Sequence, residues 1–216
     1  MTIDEIAPVE RESTAGIIAR QLRHAIMTGA LAPGTQLTEA ELAARFAVSR
    51  GPLREAMQRL VQEGLLRSEL HRGLFVIELT AEDVDDVYLA RTAVERAALE
   101  RILESPERRD AAVAALSEVQ AEMAAAPDPD GVSDADLRFH EVLVAASGST
   151  RLVRMAETLL IETRLCLAEL QRTHRGVDDR VAEHARILDA IRAADAEKAL
   201  TLLDAHMQDA ITRLTP

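Results

Sequence analysis

The stretch of sequence that decides the fold is TEAELAARFAVSRGPLREAMQRLVQEGLL, residues 38–66. It predicts two short helices joined by a tight connection at Ala47-Val48. Thr38 and Glu41 have the spacing of a capping box, in which two side chains bond to backbone N–H groups at a helix start. The first of the two helices is therefore expected to begin at Glu39.

The second helix of this pair is expected to begin after Ser49, a suitable N-cap, with Pro52 in its first turn. Arg50 and Arg54 stand one turn apart at its N-terminal end. The apolar residues that recur at helical spacing are Leu53, Met57, Leu60, Val61 and Leu65. A pair of helices whose second member begins with basic residues is typical of helix-turn-helix DNA-binding proteins.

The flanking segments extend this pair into a winged helix. A further helix is expected over about residues 14–28, and Pro33-Gly34 indicates a turn. The run Leu74–Ile77 has strand composition, and His71-Arg72-Gly73 forms a short polar turn that could reach a DNA groove or phosphate. Residues 13–78 are therefore expected to form a winged helix-turn-helix domain with a small β-hairpin.

Charge is distributed unevenly along the chain, whose formal net charge is −12. Residues 13–77 hold eight arginines and five acidic side chains, whereas residues 78–216 hold sixteen basic and twenty-eight acidic side chains. The first part is thus +3 and the second −12, and the remaining −3 lies in residues 1–12, which we expect to be a flexible arm. This asymmetry suggests two domains with different partners, although acidity in the second also serves solubility.

The composition excludes several classes of protein. No apolar run approaches the roughly 20 residues of a membrane span, and the acidic N-terminus does not resemble a signal peptide. A single cysteine, Cys166, fits a reducing compartment. Aromatic residues make up only 2% of the chain, which argues against base-stacking surfaces for single-stranded nucleic acids. We therefore expect a cytoplasmic protein without a membrane partner.

The remainder of the chain, residues 79–216, predicts a helical bundle that opens with a second capping box at Thr80 and Asp83. The expected helices span about residues 81–104, 107–126, 133–147, 150–172, 177–193 and 195–213. The predicted fold class is therefore mainly α, with an antiparallel all-helical second domain of six helices, or seven as the alternative.

Four residues of the second domain form a candidate metal-ligand set: Asp136, His140, His184 and His206. Asp136 and His140 stand four residues apart, so both project from one face of a helix. Imidazole nitrogens with one carboxylate suit Zn²⁺, Ni²⁺, Mn²⁺ or Fe²⁺. The spacing alone does not show that the four converge, because scattered histidines are more often surface or satisfied core residues.

Residues 48–66, VSRGPLREAMQRLVQEGLL, are preceded by LAPGTQLTEAELAARFA and followed by HRGLFV. This order and spacing resemble the winged-helix domain of the GntR family of bacterial transcription regulators. The DNA-contacting residues that the resemblance implies are Ser49, Arg50, Gly51, Arg54, His71, Arg72 and Gly73. Gly51 stands where Thr is frequent, and Ala40 where some members carry a contacting arginine, so phosphate contacts and base preference are expected to differ.

The second part resembles the FCD ligand-binding domain of the FadR subfamily, through LRFHEVLVAASGSTRL at residues 137–152 and EHARILDAIRAADAEKAL at 183–200. Six helices point to its VanR-like branch. The resemblance implies that Asp136 and the three histidines hold a divalent transition metal, with Zn²⁺ expected first and Ni²⁺, Mn²⁺ or Fe²⁺ as alternatives.

Arg91, in VYLARTAVERAALE, matches a position of that subfamily where arginine can face the effector pocket. Four protein ligands on a six-coordinate ion leave two places that a small carboxylate can fill, and Arg91 could pair with its charge. The alternative is an exposed helix arginine that pairs with Glu95. Arg164 is a weaker second candidate for effector binding.

The expected function is a DNA-binding transcription regulator that acts as a homodimer, because one winged helix contacts too little operator DNA for tight binding. Repression is the commoner case in the family that the sequence resembles, but the sequence allows activation equally. A small carboxylate effector in the second domain would change the separation of the two DNA-binding domains. One alternative is a metal sensor, in which the ion itself is the signal. The least favoured alternative is a metal-dependent hydrolase, so no enzymatic activity is expected.

Overall fold

A computed structural model describes residues 13–70, 72–170 and 177–215 of the chain. The chain divides into two compact units, Met1–Ile77 and Glu78–Pro216, which are described separately below. The flexible arm expected over residues 1–12 lies outside the described residues.

The first unit is a winged helix. Its elements are α1 (Thr14–Met27), β1 (Gln36–Leu37), α2 (Glu39–Phe46), α3 (Arg50–Gln62), β2 (Leu66–Glu69) and β3 (Gly73–Val76). Helix α1 packs against α3, and both contribute to an apolar core that includes Ile18, Leu22, Leu53, Met57 and Leu60. This core holds α3 so that its opposite face, with Arg50 and Arg54, remains exposed.

Helices α2 and α3 begin where the sequence predicts, although their caps differ in detail. The Thr38 hydroxyl accepts a hydrogen bond from the Glu41 N–H at 3.4 Å. Ser49 is the N-cap of α3 with an extended backbone, but its side chain makes no capping hydrogen bond. Ala47 turns the chain between the two helices in the left-handed conformation.

The sheet has three strands rather than the hairpin alone that the sequence predicts. β1 pairs antiparallel with β3, and β3 with β2, in the order β1-β3-β2. β1 is only two residues long, too short to show the alternation by which a strand is recognised. The Gln36 side chain donates a hydrogen bond to the Arg72 carbonyl, and the Leu37 side chain is buried, which ties the loop before α2 to the wing.

The second unit consists of helices in its described part. They are α4 (Ala81–Leu103), α5 (Pro106–Ala125), α6 (Pro129–Ala146), α7 (Thr150–Leu170), α8 (Val177–Arg192) and α9 (Ala196–Leu214). Helix α6 begins four residues before the predicted start, because Asp128 caps it with a 2.8 Å hydrogen bond from the Gly131 N–H and Pro129 occupies the first turn. The predicted break at Arg175-Gly176 lies outside the described residues.

The core of the second unit lies between α4, α5, α6, α8 and α9, and Cys166 of α7 also contributes to it. Its largest fully buried side chains include Tyr88, Phe139, Leu99, Ile102, Leu116 and Leu143. Helix α7 packs on α4 and α6. None of the described helices has the length and apolarity of a membrane span.

Candidate metal centre and DNA-binding surface

The structure brings the four candidate ligands together, as a group that we call the Asp/His cluster: Asp136, His140, His184 and His206. Asp136 and His140 lie on α6, His184 on α8 and His206 on α9. All four side chains are buried, and one ligand atom from each lies within 4.8 Å of the other three. Three helices that are distant in sequence thus place one carboxylate and three imidazoles around a common point.

The three imidazoles face one another through the same ring atom. His140 Nε2 lies 3.1 Å from His206 Nε2 and 3.3 Å from His184 Nε2. Asp136 Oδ1 lies 3.5 Å from His184 Nε2. These separations resemble those between ligands of one metal ion, since two nitrogens at about 2.1 Å from a metal are about 3.0 Å apart at a right angle and about 3.4 Å apart at a tetrahedral angle.

The opposite nitrogen of each ring contacts an oxygen that can only accept a hydrogen bond. His140 Nδ1 lies 2.6 Å from Glu95 Oε2 and His206 Nδ1 lies 2.8 Å from Glu183 Oε2. His184 Nδ1 lies 2.8 Å from the Arg180 carbonyl oxygen. Each Nδ1 must therefore carry the proton, which leaves a lone pair on each Nε2.

Three Nε2 lone pairs directed at one another cannot hydrogen bond, so neutral rings in this arrangement repel. A divalent cation among them would convert the repulsion into coordination, and the residues present fit such an ion. Carboxylate and carbonyl acceptors behind metal-binding imidazoles are the usual way in which proteins fix the ring orientation. The Asp/His cluster is therefore a candidate metal centre with its supporting hydrogen bonds in place.

Electrostatics favour the protonation states that metal ligands require. Burial lowers the pKa of His140, and burial together with the charges of the neighbouring histidines lowers that of His184 to about 3. Burial alone would raise the pKa of Asp136, but the nearby histidines and Arg91 outweigh it and lower the pKa to about 2. At neutral pH these two imidazoles are neutral and the carboxylate is ionised.

Two glutamates beside the Asp/His cluster accept hydrogen bonds from its histidines, and the sequence did not predict this role. Glu95 accepts from His140 with one oxygen and from Arg91 with the other. Glu183 likewise accepts from His206 and from Arg213. The i, i+4 spacing of Arg91 and Glu95 is a sequence signal for the first pair. No sequence signal connects Glu183 to His206, because they meet only through the packing of α8 on α9.

The two effector candidates lie in different surroundings. Arg91 is buried and pairs with Glu95. The alternative interpretation of the sequence named Glu95 as its partner correctly, but its expectation that Arg91 is exposed is wrong. The Nη1 of Arg91 donates a hydrogen bond to the Thr163 hydroxyl. Its Nη2 lies 2.9 Å from Glu95 Oε1, an ion-pair contact, but makes no hydrogen bond. Arg164 is partly exposed and pairs with Asp134. Of these two arginines, only Arg91 is linked to the Asp/His cluster by a described hydrogen-bond chain, which runs through Glu95 to His140.

The candidate DNA-binding residues of α3 lie on an exposed surface at its N-terminal end. Ser49, Arg50 and Gly51 are exposed, and a Cβ added to Gly51 would meet nothing within 4 Å. Arg54 is exposed but not free, because its Nε donates to both carboxylate oxygens of Glu39 on α2 at 2.8 and 2.9 Å. Glu39 is a partner that the sequence analysis did not assign.

The wing carries basic side chains over an aromatic ring. Arg72 and Arg67 lie over the Phe75 ring, 5.2 and 5.9 Å from its centre, and both pair with Glu69. Gly73 begins β3 with φ +99°, a conformation that favours glycine. His71, the third candidate at the tip, lies outside the described residues. The surface thus consists of the start of α3 and an arginine-bearing wing within one unit.

Known proteins match both units. The family model of bacterial regulatory proteins, gntR family, matches residues 14–76, and that of the FCD domain matches residues 86–209. The gluconate operon transcriptional repressor of Bacillus licheniformis is 30% identical over 209 residues, 93% of this chain and 85% of that protein. The uncharacterized HTH-type transcriptional regulator YdhC of Bacillus subtilis is 30% identical over 192 residues, 86% and 84% of the two chains.

A solved structure extends the similarity to the whole fold. The crystal structure of a GntR transcriptional regulator from Rhodococcus sp. RHA1 has 32% sequence identity and a TM-score of 0.75. The match covers 93% of this chain and 96% of that one. The chain therefore belongs to the GntR family of DNA-binding transcription regulators and carries an FCD domain.

Proposed function

We propose that this regulator is a cytoplasmic homodimer whose affinity for a double-stranded operator is controlled by a small carboxylate bound beside a divalent metal in the helical unit. Zn²⁺ is the first candidate ion. The observation that carries the proposal is the convergence of three Nε2 lone pairs and one carboxylate oxygen in a buried site. A bound ion would supply coordination positions for an incoming carboxylate oxygen.

Arg91 is the residue that we assign to the effector's carboxylate. Its guanidinium is buried, and its Nη2 lies 2.9 Å from Glu95 Oε1 in an ion pair but makes no hydrogen bond in the described structure. A second carboxylate at this position would satisfy that donor. We prefer Arg91 to Arg164 because the Arg164 side chain is 41% exposed, so water weakens its attraction for a carboxylate, whereas the Arg91 side chain is only 2% exposed.

The same chain of hydrogen bonds gives a route for coupling. Glu95 bonds to Arg91 with one oxygen and to the metal-ligand candidate His140 with the other. An effector that draws Arg91 away from Glu95 changes the support of His140, and hence the packing of α4 on α6. Effector binding and helix arrangement are then linked in both directions, as allosteric coupling requires.

Arg50 and Arg54 of α3, with Arg72 and Gly73 of the wing, are the residues that we assign to DNA contact. The exposed N-terminus of α3 favours phosphate through its free N–H groups, and arginine can bond guanine in bidentate fashion. Ser49 and Gly51 allow close approach of the backbone. Repression is the proposed sign of regulation, supported by the name of the gluconate operon repressor from Bacillus licheniformis.

The test uses the full chain and a duplex that it selects from random-sequence DNA. Operator affinity of the zinc-loaded protein is measured at fixed salt with a panel of small carboxylates, including gluconate, citrate and malate. We expect at least one compound to weaken binding about fivefold or more, and we expect Arg91→Ala to lose that response. A response that is equal in Arg91→Ala contradicts the role of Arg91. Zinc that acts alone, with no compound needed, would instead make the protein a metal sensor.

A further inference from the structure

The imidazoles of the Asp/His cluster are supported in different ways on the side that faces away from the cluster. A backbone carbonyl supports one of them, and glutamates support the other two. Glu183 bonds to His206 with one oxygen and to Arg213 with the other. We call Arg213, Glu183 and His206 the α9 relay, because its two ends lie on α9. The proposed function uses Arg91 and leaves Arg213 without a task.

The α9 relay joins helices α8 and α9 at two points. His206 and Arg213 are seven residues apart, which is about two turns, so their side chains lie on one face of α9. Glu183 of α8 contacts both: its Oε2 lies 2.8 Å from His206 Nδ1, and its Oε1 accepts a hydrogen bond from Arg213 Nη2. Each carboxylate oxygen therefore has its own partner, and both partners come from the same helix.

The second of these hydrogen bonds fixes the plane of the carboxylate. A glutamate that is held through one oxygen has no fixed plane, because its terminal torsion is broad. When that plane turns, the direction in which Glu183 accepts from His206 Nδ1 changes, and the imidazole turns with it. The bond from Arg213 thus also fixes the direction of the His206 Nε2 lone pair, which faces His140 inside the cluster.

The α9 relay reaches the protein surface, unlike the relay that begins at Arg91. The Arg213 side chain is 24% exposed, whereas that of Arg91 is 2% exposed. Water competes for a partly exposed arginine, so its ion pair contributes little to stability. Arg213 also lies in the last turn of α9, where any cation interacts favourably with the helix dipole. A structural role of this kind predicts no loss of metal affinity when Arg213 is removed.

Charge and positioning predict opposite effects of Arg213 on metal binding. A guanidinium repels a divalent cation, so its removal lowers the positive potential at the Asp/His cluster and should strengthen metal binding. Loss of the fixed Glu183 plane should weaken metal binding instead, because the hydrogen-bond partners behind metal ligands contribute to metal affinity. The sign of the change in affinity therefore separates the two roles.

We propose that Arg213 is a positioning residue of the candidate metal centre, which holds the Glu183 carboxylate so that His206 Nε2 is directed at the ion. This inference rests on the proposed function, because it needs a divalent metal at the Asp/His cluster. The last turn of α9 belongs to the metal centre in this arrangement, although it supplies no ligand. A partly exposed ion pair then tunes the metal affinity of a buried site.

The experiment measures the zinc affinity of the full chain by competition with a chromophoric chelator. We expect Arg213→Ala to weaken zinc binding about three- to tenfold, less than the loss of a direct partner of a ligand does. Arg213→Gln keeps most of the aliphatic stem and should weaken it likewise, so the test does not depend on truncation at the end of α9. The matched control, Arg192→Ala, removes a more exposed arginine that pairs with Asp189 and should lose no affinity.

A second background shows whether Arg213 acts through Glu183. In Glu183→Ala the α9 relay is already broken, so adding Arg213→Ala should cause no further loss of zinc affinity. Unchanged or tighter zinc binding by both Arg213 variants, or an equal loss in the two backgrounds, overturns the inference and leaves the metal centre in place. An unaltered chain that binds no zinc would contradict the proposed function, and this inference with it.

Discussion

Two arginine–glutamate pairs in this molecule are both bonded through the arginine Nε but lie in opposite surroundings. On the winged helix, Arg54 bonds to both oxygens of Glu39, and the side chains are 63% and 38% exposed. In the helical unit, Arg91 bonds to Glu95 with both side chains only 2% exposed. The first pair is surrounded by water, and the second is surrounded by apolar side chains and the Asp/His cluster.

The difference indicates what each pair can do. An exposed pair contributes little to stability, because water competes for both partners, so Arg54 can leave Glu39 for a phosphate or base at small cost. A buried pair cannot separate without leaving an uncompensated charge in a low-dielectric site, unless a charged ligand takes the place of the lost partner. Arg54 is thus suited to exchange partners on DNA, whereas Arg91 and Glu95 are suited to hold His140 in one orientation.

In the buried region, the largest expected effect comes from removing metal ligands. His184→Ala combined with His206→Ala removes two of the four donors, so we expect divalent metal to fall from one ion per chain to none. Elemental analysis of purified protein, reconstituted with Zn²⁺, measures this. His24→Ala, at an exposed histidine of α1, is the control and should keep the full content. If the double variant retains metal, the assignment of these four residues as the metal ligands is wrong.

Glu95→Gln tests the buried pair itself. It leaves Arg91 without its counter-ion and His140 without a charged acceptor, so we expect a loss of about 3 kcal/mol in the free energy of unfolding of the metal-free chain. We also expect a roughly 10- to 100-fold weaker zinc affinity. Denaturant titration and zinc competition measure the two effects. Glu183→Gln should have the smaller effect on stability, since its partner Arg213 is 24% exposed.

Arg54→Ala tests the exposed pair as a DNA-binding element. We expect operator affinity to fall at least about tenfold, because a guanidinium at the start of α3 can bond to a base or phosphate, while metal content and dimerisation stay unchanged. Fluorescence anisotropy at stated salt measures this. Arg59→Ala, at an exposed arginine near the other end of the same helix, is the control and should bind nearly as well as the unaltered chain. Equal losses of operator affinity in the two variants would mean that Arg54 contributes only non-specific positive charge to DNA binding.

The smallest expected effect belongs to Glu39→Gln. The hydrogen bond with Arg54 lowers the pKa of Glu39, but the pair is exposed, so its removal should change the melting temperature by less than about 3 °C. Because Arg54 no longer has to leave an anion, operator affinity should stay equal or rise. A marked loss of affinity would show instead that Glu39 holds Arg54 in its DNA-binding position.

The sequence predicted the helices and strands of this molecule better than the contacts between them. Ser49 and Pro52 predicted the start of α3, and the i, i+4 spacing of Asp136 and His140 predicted a shared helix face. Their approach to His184 and His206 followed only from the family resemblance, because side chains on separate helices carry no spacing signal. The early start of α6 and the short strand β1 were missed because proline and a two-residue strand suggest loops.

Glu95 shows where such reasoning stops. Helix periodicity offered its pairing with Arg91 as the alternative to an effector-binding Arg91, but placed that pair at the surface, whereas both side chains are buried. Burial depends on which neighbouring helices cover the face, and α4 contacts α6, α7 and α9 through residues far apart in the chain. The hydrogen bond from His140 to Glu95, which makes the pair part of the candidate metal centre, is a product of that packing.

Anomalous X-ray diffraction at the zinc edge, on crystals of the full chain loaded with Zn²⁺, tests the central claim most directly. We predict one strong peak per chain, bounded by Asp136 Oδ1 and the Nε2 atoms of His140, His184 and His206, and no such peak for the variant that lacks His184 and His206. A zinc-loaded crystal with no peak among these four side chains would contradict the account, whatever the protein does on DNA.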